Sequence, residues 1–135
     1  FVSILGDSPV FPIYKGKVKK IPLHDSTNNS EFKKVKKRGI FNETFPNHIF
    51  NKEGNGLSCF RAIGDKNMEG IIKRTPDFYE IKEWDSVVIA SDGLKLSAKE
   101  VVGLAPYGAK AINVANRDSL FGQAIDNTTI IHISK

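Results

Sequence analysis

The chain has 135 residues, 40% of them hydrophobic and 26% charged, with a net charge of +5, the make-up of one globular domain that buries roughly two-thirds of its unfolded surface. No apolar run approaches the ~20 residues of a membrane span, and no basic, apolar, small-residue leader opens the sequence, so neither a membrane protein nor a secreted one is expected. The single cysteine, Cys59, excludes an internal disulfide and fits a reducing, cytoplasmic compartment, with the nucleus left open.

The first residues, Phe1-Val2-Ser3-Ile4-Leu5, already read as a strand. Domains rarely start inside a buried strand, so the chain is expected to be one partial domain, residues 1–135, from the C-terminal side of a longer fold. Val10–Tyr14 and Val18–Leu23 flank Lys15-Gly16, a hairpin signal. Asn28 with Glu31 three residues on predicts a capping-box helix start, with Phe32 and Val35 on one face and Gly39 as its stop. Phe41–Asn55 mixes Asn, Pro and Gly with aromatics and reads as a long loop or flap with strand fragments. Short strands are expected at Gly56–Ala62 and Gly70–Arg74, and an alternating one at Asp77–Lys82.

Ser86–Ala90 does not alternate, which predicts a strand covered on both faces. Ser97 caps a short helix through Val102, and Ala109–Ala115 starts another running on towards Phe121. Thr128–Ser134 closes the chain as a β-branched strand. The fold class is therefore α+β, with antiparallel sheets and helices on their outer faces.

Charge is uneven. Lys15 to Arg38 holds nine basic residues against Asp25 and Glu31, a local balance of +7 that leaves −2 for the remainder. Lysines on a hairpin edge and a helix face suit solvent and discourage edge pairing. The sharper reading is a patch for phosphorylated or other acidic partners, and without interleaved aromatics the segment argues against a nucleic-acid platform. Cys59 in an apolar run reads as a buried, inert thiol. His24, His48 and His132 have no metal-ligand spacing, and His132 reads as a hydrogen-bonded core residue. Gly54-Asn55-Gly56 lacks the helix and lysine of a phosphate loop and reads as a turn.

Three aspartates stand where an apolar run meets a turn: Asp7 in LGDS, Asp92 in ASDGL and Asp126 in IDNTT. Carboxylates at strand ends beside Gly6, Gly93 or Asn127 suit a hard divalent cation, which takes oxygen ligands and keeps room for waters.

Together with RAIGD at Arg61–Asp65, the order GDS, RAIGD, SDGL, DN resembles the metal-dependent protein serine/threonine phosphatases of the type 2C family, from Leu5 nearly to the C-terminus. The resemblance implies an antiparallel β-sandwich flanked by helices, incomplete at its N-terminus. It implies hydrolysis of phosphoserine and phosphothreonine in phosphoprotein substrates by water activated between two Mg²⁺ or Mn²⁺ ions, with a third ion in some members. Asp92 and Asp126 fall on positions that ligate the catalytic pair, and Asp7 on one that holds the third ion. Gly93 lets the backbone pass close to the ions. Arg61 and Asp65 match the family string and are assigned to local architecture, and no residue is assigned as a catalytic acid, base or nucleophile.

The family's early arginine and its D-G-H-G-G string have no counterpart here. They supply the bridging aspartate, the phosphate-binding arginine and a histidine acid, so the missing N-terminal half is itself an expected partner and the chain alone is expected to be inactive. Pro9 stands where an arginine commonly follows GDS, Phe60 where a serine precedes RAIGD, and Lys95-Leu96 where Trp-Asp follows SDGL. These departures keep open the alternative of a catalytically inactive pseudophosphatase, or a truncated regulatory, protein-binding module.

Overall fold

The computed structural model describes residues 1–121, 123 and 126–135. In chain order the strands and helices are β1 (Val2–Ile4), β2 (Val10–Tyr14), β3 (Lys17–Val18), α1 (Asn29–Lys36), β4 (Ile49–Phe50), β5 (Gly56–Leu57), β6 (Asp77–Tyr79), β7 (Ser86–Ala90), α2 (Ala98–Leu104), α3 (Gly108–Ser119) and β8 (Ile130–Ser134). The mix of helices and antiparallel sheets is the expected α+β class. The chain divides into two compact units, one of Phe1, Ser8–Ile21 and Tyr79–Lys135, the other of Val2–Asp7 and Pro22–Phe78.

The first unit is built on a four-stranded antiparallel sheet in the order β3-β2-β7-β8. The β2–β3 turn places Lys15 at φ 49° and Gly16 at φ 69°, two left-handed residues in a row that bring the hairpin's twist into line with that of its strands. Asp85 holds this turn by accepting from the Lys15 N–H at 2.6 Å. Strand β3 ends at Val18 instead of reaching Leu23, ahead of Pro22, which has no N–H to donate.

Strand β7 occupies the expected residues, but only one of its faces is fully buried. Val88 and Ala90 pack with Ile13, Leu94, Leu96, Val101, Ala105 and Ile112, so helices α2 and α3 cover that side. On the opposite face Val87 and Ile89 are half-buried, and Ile131 and Ile133 of the adjoining β8 are 52% and 45% exposed. Alternation is absent from the sequence because both faces are apolar, not because both are covered. Helix α2 opens on the expected Ser97–Glu100 capping box, with both reciprocal bonds made. Pro106 then forces a 3₁₀ turn at Ala105–Tyr107, and α3 follows, with Ile112 and Asn116 one turn apart on its buried side.

The second unit gathers around α1. Asn28 accepts from the Glu31 N–H at 3.2 Å as the N-cap, but the Glu31 side chain turns away from the cap, so only half of the expected box forms. Val35 packs with Ile49, Phe60, Met68 and Ile72, and Phe32 borders the cluster. Phe60, which stands where the family that the sequence resembles has serine, is wholly buried and stacks on Phe32 with ring centres 5.1 Å apart. Gly39 follows the helix as expected, and it is also needed for packing: a Cβ there would lie 2.5 Å from the Ile49 side chain and 2.9 Å from that of Ile71.

Strands β4 and β5 pair across the irregular segment, and β1 pairs with β6. The strands expected around RAIGD shrink to β5 and a single parallel bridge between Arg61 and Lys73. Gly64 at φ 103° and Asp65 at φ 48° turn the chain there into a 3₁₀ helix at Lys66–Met68.

The basic face of α1 is not uniform. Lys33, Lys34 and Lys37 are exposed, whereas the Lys36 ammonium lies over the rings of Phe32 and Phe41, 4.1 and 3.6 Å from their centres. Arg38 donates through Nε to the Ile71 carbonyl at 2.7 Å. Urea unfolding is expected to show the Lys33→Ala/Lys34→Ala pair within about 0.5 kcal/mol of the parent. Lys36→Ala should cost about 0.5–1 kcal/mol. A loss of several kcal/mol in the Lys33/Lys34 variant would contradict the assignment of those two as a solvated face.

Candidate functional site

Asp92 and Asp126 sit at the same end of the β7–β8 pair. The two strands run antiparallel with Ala90 opposite Ile130, so the residues just after β7 meet those just before β8. Ser91 seals the junction: its N–H donates to the Thr129 carbonyl at 3.0 Å, its hydroxyl donates to the Asn127 carbonyl at 3.3 Å, and it accepts from the Thr129 N–H at 3.0 Å. Gly93 allows the closest approach. A Cβ on it would lie 2.4 Å from the Asn127 carbonyl oxygen and 2.8 Å from Thr128 Oγ1. The glycine of SDGL therefore lets one aspartate-bearing loop press against the other.

Both aspartates are exposed. Asp126 accepts from the N–H of the next residue, Asn127, through Oδ1 at 2.7 Å. Lys95 reaches back three residues, its ammonium donating to the Asp92 carbonyl at 2.7 Å. This lysine stands where the family that the sequence resembles carries tryptophan, and it puts a positive charge beside the candidate cation ligand.

The side chain that ties these loops together was not singled out from the sequence. Asn116, 1% exposed on α3, accepts through Oδ1 from the Lys95 N–H at 2.8 Å. Its Nδ2 donates to the Gly93 carbonyl at 3.1 Å and to Thr128 Oγ1 at 3.2 Å. The available signal was positional: a polar residue one turn beyond Ile112 on the apolar side of a helix must find partners, because a buried amide without them costs free energy.

Asp7 belongs to the second unit. It follows Gly6, whose N–H donates to His24 Nδ1 at 3.1 Å and whose carbonyl accepts from the His24 N–H at 2.9 Å. Burial pushes the Cys59 thiol up to about 11, and the neighbouring Asp7 carboxylate pushes in the same direction. The thiol donates to the Arg61 carbonyl at 3.1 Å and is half-buried, less enclosed than expected. His132 departs from its expectation. It is half-buried on β8, and among the described residues its Nε2 is a buried atom with no hydrogen-bond partner. It stands opposite Val88, a residue of the core cluster packed by α2 and α3.

RAIGD contributes the centre of a buried ionic network. Arg61 forms a two-point bond to Glu31, Nε to Oε1 at 2.8 Å and Nη2 to Oε2 at 3.0 Å, and Nη1 reaches Asp77 Oδ1 at 2.9 Å and the Thr75 carbonyl at 2.8 Å. His24, wholly buried, accepts the Gly6 N–H on Nδ1, so its neutral ring carries the proton on Nε2 and donates it to Asp77 Oδ2 at 2.9 Å. This explains why Glu31 leaves its capping box: the Arg61 guanidinium offers a fork that matches its carboxylate. Arg61 is thus tied into the local architecture by Glu31, Asp77 and the Thr75 carbonyl.

The hydrogen bonds from Arg61 hold the Glu31 carboxyl below its ordinary 4.5, against the opposing effect of burial. Burial likewise opposes ionisation of Asp77, but bonds from His24 and Arg61 keep its carboxyl below 3.8. Both folded values are depressed, so the stability they contribute is complete above the unfolded values and is lost as pH falls through the folded ones. Thermal stability is expected to weaken as pH falls below 4.5, the ordinary Glu31 value. Glu31→Gln should blunt that acid loss, and an unchanged acid profile in this variant would count against the network as its source.

As a donor set, Asp92, Asp126 and the neighbouring carbonyls are all hard oxygen ligands, which fits one Mg²⁺ or Mn²⁺ completed by waters. Among the described residues no three His, Cys, Asp or Glu side chains gather as a metal-binding group. Among the same residues no helix is long and apolar enough to cross a membrane.

No protein-family model matches the sequence, and no curated protein matches it. A solved structure does. Serine-threonine phosphatase 2C from Toxoplasma gondii superposes with a TM-score of 0.73 at 17% sequence identity, over 98% of this chain and 53% of that one. The chain spans about half the length of the structure it matches. At that identity the likeness is one of fold: these residues adopt about half of a type 2C phosphatase fold.

Proposed function

We propose that the chain is part of the catalytic domain of a type 2C protein serine/threonine phosphatase, a phosphomonoester hydrolase that uses Mg²⁺ or Mn²⁺ to remove phosphate from phosphoserine and phosphothreonine. The observation that carries this reading is the meeting of the SDGL and DN loops at one end of β7–β8, within a chain of type 2C phosphatase fold. Asp92 and Asp126 would hold cations there, and Asp7 would contribute to a further, weaker site. The bound ions would supply an activated water and neutralise phosphoryl oxygens. The protein's own share would be to hold the two loops that bear the carboxylates against each other, through Ser91, Gly93 and Asn116. Phosphoproteins are the proposed substrates and the upstream half of the domain the proposed partner.

One observation favours the inactive alternative. The Lys95 ammonium on the Asp92 carbonyl opposes a cation at the same loop, as a regulatory module that has lost its chemistry would tolerate. Assay of an aryl phosphate and a phosphothreonine peptide with Mn²⁺ separates the two. The 135 residues alone should show no turnover, and the chain joined to its upstream half should show metal-dependent turnover. Silence of a folded, complete domain would favour the regulatory module, and robust turnover by the isolated chain would refute the partial-domain reading.

A further inference from the structure

We propose that Asn116 is the positioning residue of the candidate cation site, its amide setting the separation of the Asp92 and Asp126 loops. The inference rests on the metal reading above and goes beyond it, since no motif of the resemblance includes this residue.

The geometry points to one side chain spanning both loops. Oδ1 and Nδ2 grip the turn after Asp92 on either side of Leu94, at the Lys95 N–H and the Gly93 carbonyl. The second hydrogen of Nδ2 crosses to Thr128 Oγ1, two residues after Asp126. Thr128 in turn donates to the Asp126 carbonyl at 3.3 Å. A chain of bonds therefore runs from one aspartate's loop through the helix to the backbone of the other. An amide is the one short side chain with both the acceptor and the two donors this task needs. Leucine would fill the space and leave Gly93 O and Lys95 N–H unmatched, and aspartate would keep the acceptor but lose both donors.

Burial makes the clamp rigid. Asn116 is anchored on α3 beside Ile112 in the core of its unit, so the loops inherit the precision of a helix and not the mobility of a surface turn. Groups that orient metal ligands without touching the ion commonly change metal affinity by about 10–100-fold when removed.

The test is Mn²⁺ binding by the 135-residue chain, read as free Mn²⁺ by electron paramagnetic resonance, with circular dichroism to verify folding and amide hydrogen exchange at Lys95. Asn116→Ala should weaken Mn²⁺ binding by about 10-fold or more and speed exchange at Lys95. Thr128→Val removes the bond that crosses between loops, together with the one from Thr128 to the Asp126 carbonyl, and keeps the side-chain shape and the Asn116 grip on the Asp92 turn; it should weaken binding by a smaller factor with Lys95 exchange unchanged. If Asn116→Ala does not fold, the Thr128→Val result decides. Parent-like Mn²⁺ affinity in the folded variants would overturn the positioning role while leaving the cation site standing. A parent chain that binds no Mn²⁺, or binds it equally well as Asp92→Ala, would overturn the metal reading and this role with it.

Discussion

Asp92→Ala and Asp126→Ala are each expected to lower Mn²⁺-dependent turnover by ~100-fold or more, measured on the chain joined to its upstream half. The figure follows from what a cation ligand does in phosphoester hydrolysis. A bound ion would supply an activated water and offset charge on the phosphoryl oxygens, and removing one preorganised electrostatic contact already costs about 100–1,000-fold in kcat. Both residues are exposed at the end of the β7–β8 pair, so truncation removes a ligand without opening a cavity, and unfolding curves should stay close to the parent. That combination, lost turnover with retained stability, distinguishes a ligand from a turn-former. Equal turnover in either variant would reduce that aspartate to a cap on its own backbone.

The opposite pattern is expected at Arg61. Its guanidinium is matched at two points by Glu31 and at a third by Asp77, and Glu31 is 3% exposed. Breaking a buried pair from one side leaves the other charge without compensation, at a cost of about 3–5 kcal/mol. Stabilities of native domains are themselves about 5–15 kcal/mol, so Arg61→Ala should remove a large share of the stability and lower the thermal midpoint markedly. Pairing it with Glu31→Gln should recover part of the loss, because the stranded carboxylate is gone. Urea unfolding of the two single variants and the double one measures this coupling. Additive losses would mean that Arg61 is held by packing and not by its ionic partners.

These two expectations mark what could be read from the residues. Local signals were legible wherever the backbone makes its own case: Lys15-Gly16 for the hairpin, Ser97–Glu100 for the α2 cap, Ser86–Ala90 for the central strand. The loops bearing Asp92 and Asp126 were legible for the same reason, since Gly93 and Asn127 mark them as turns at strand ends. Features that depend on distant residues were not. Glu31 satisfies the spacing of a capping box, and nothing local reveals that a guanidinium 30 positions away captures it. Asn116 looks like an ordinary helical residue until the folded chain brings Gly93, Lys95 and Thr128 around its amide. The strands near RAIGD were overestimated because β-branched and apolar residues there fill a core around Val35 and Phe60 without pairing as a sheet.

The most direct measurement is a titration of the isotopically labelled 135-residue chain with Mn²⁺, followed by amide nuclear magnetic resonance. A paramagnetic ion broadens signals according to distance, so it locates a site even when affinity is weak. The account predicts that amides at 91–93 and 126–128 broaden together at the lowest Mn²⁺ additions, and that Asp92→Ala abolishes the effect at both segments. Broadening confined to other acidic surfaces, or of one loop without the other, would contradict a shared cation site at the end of β7–β8.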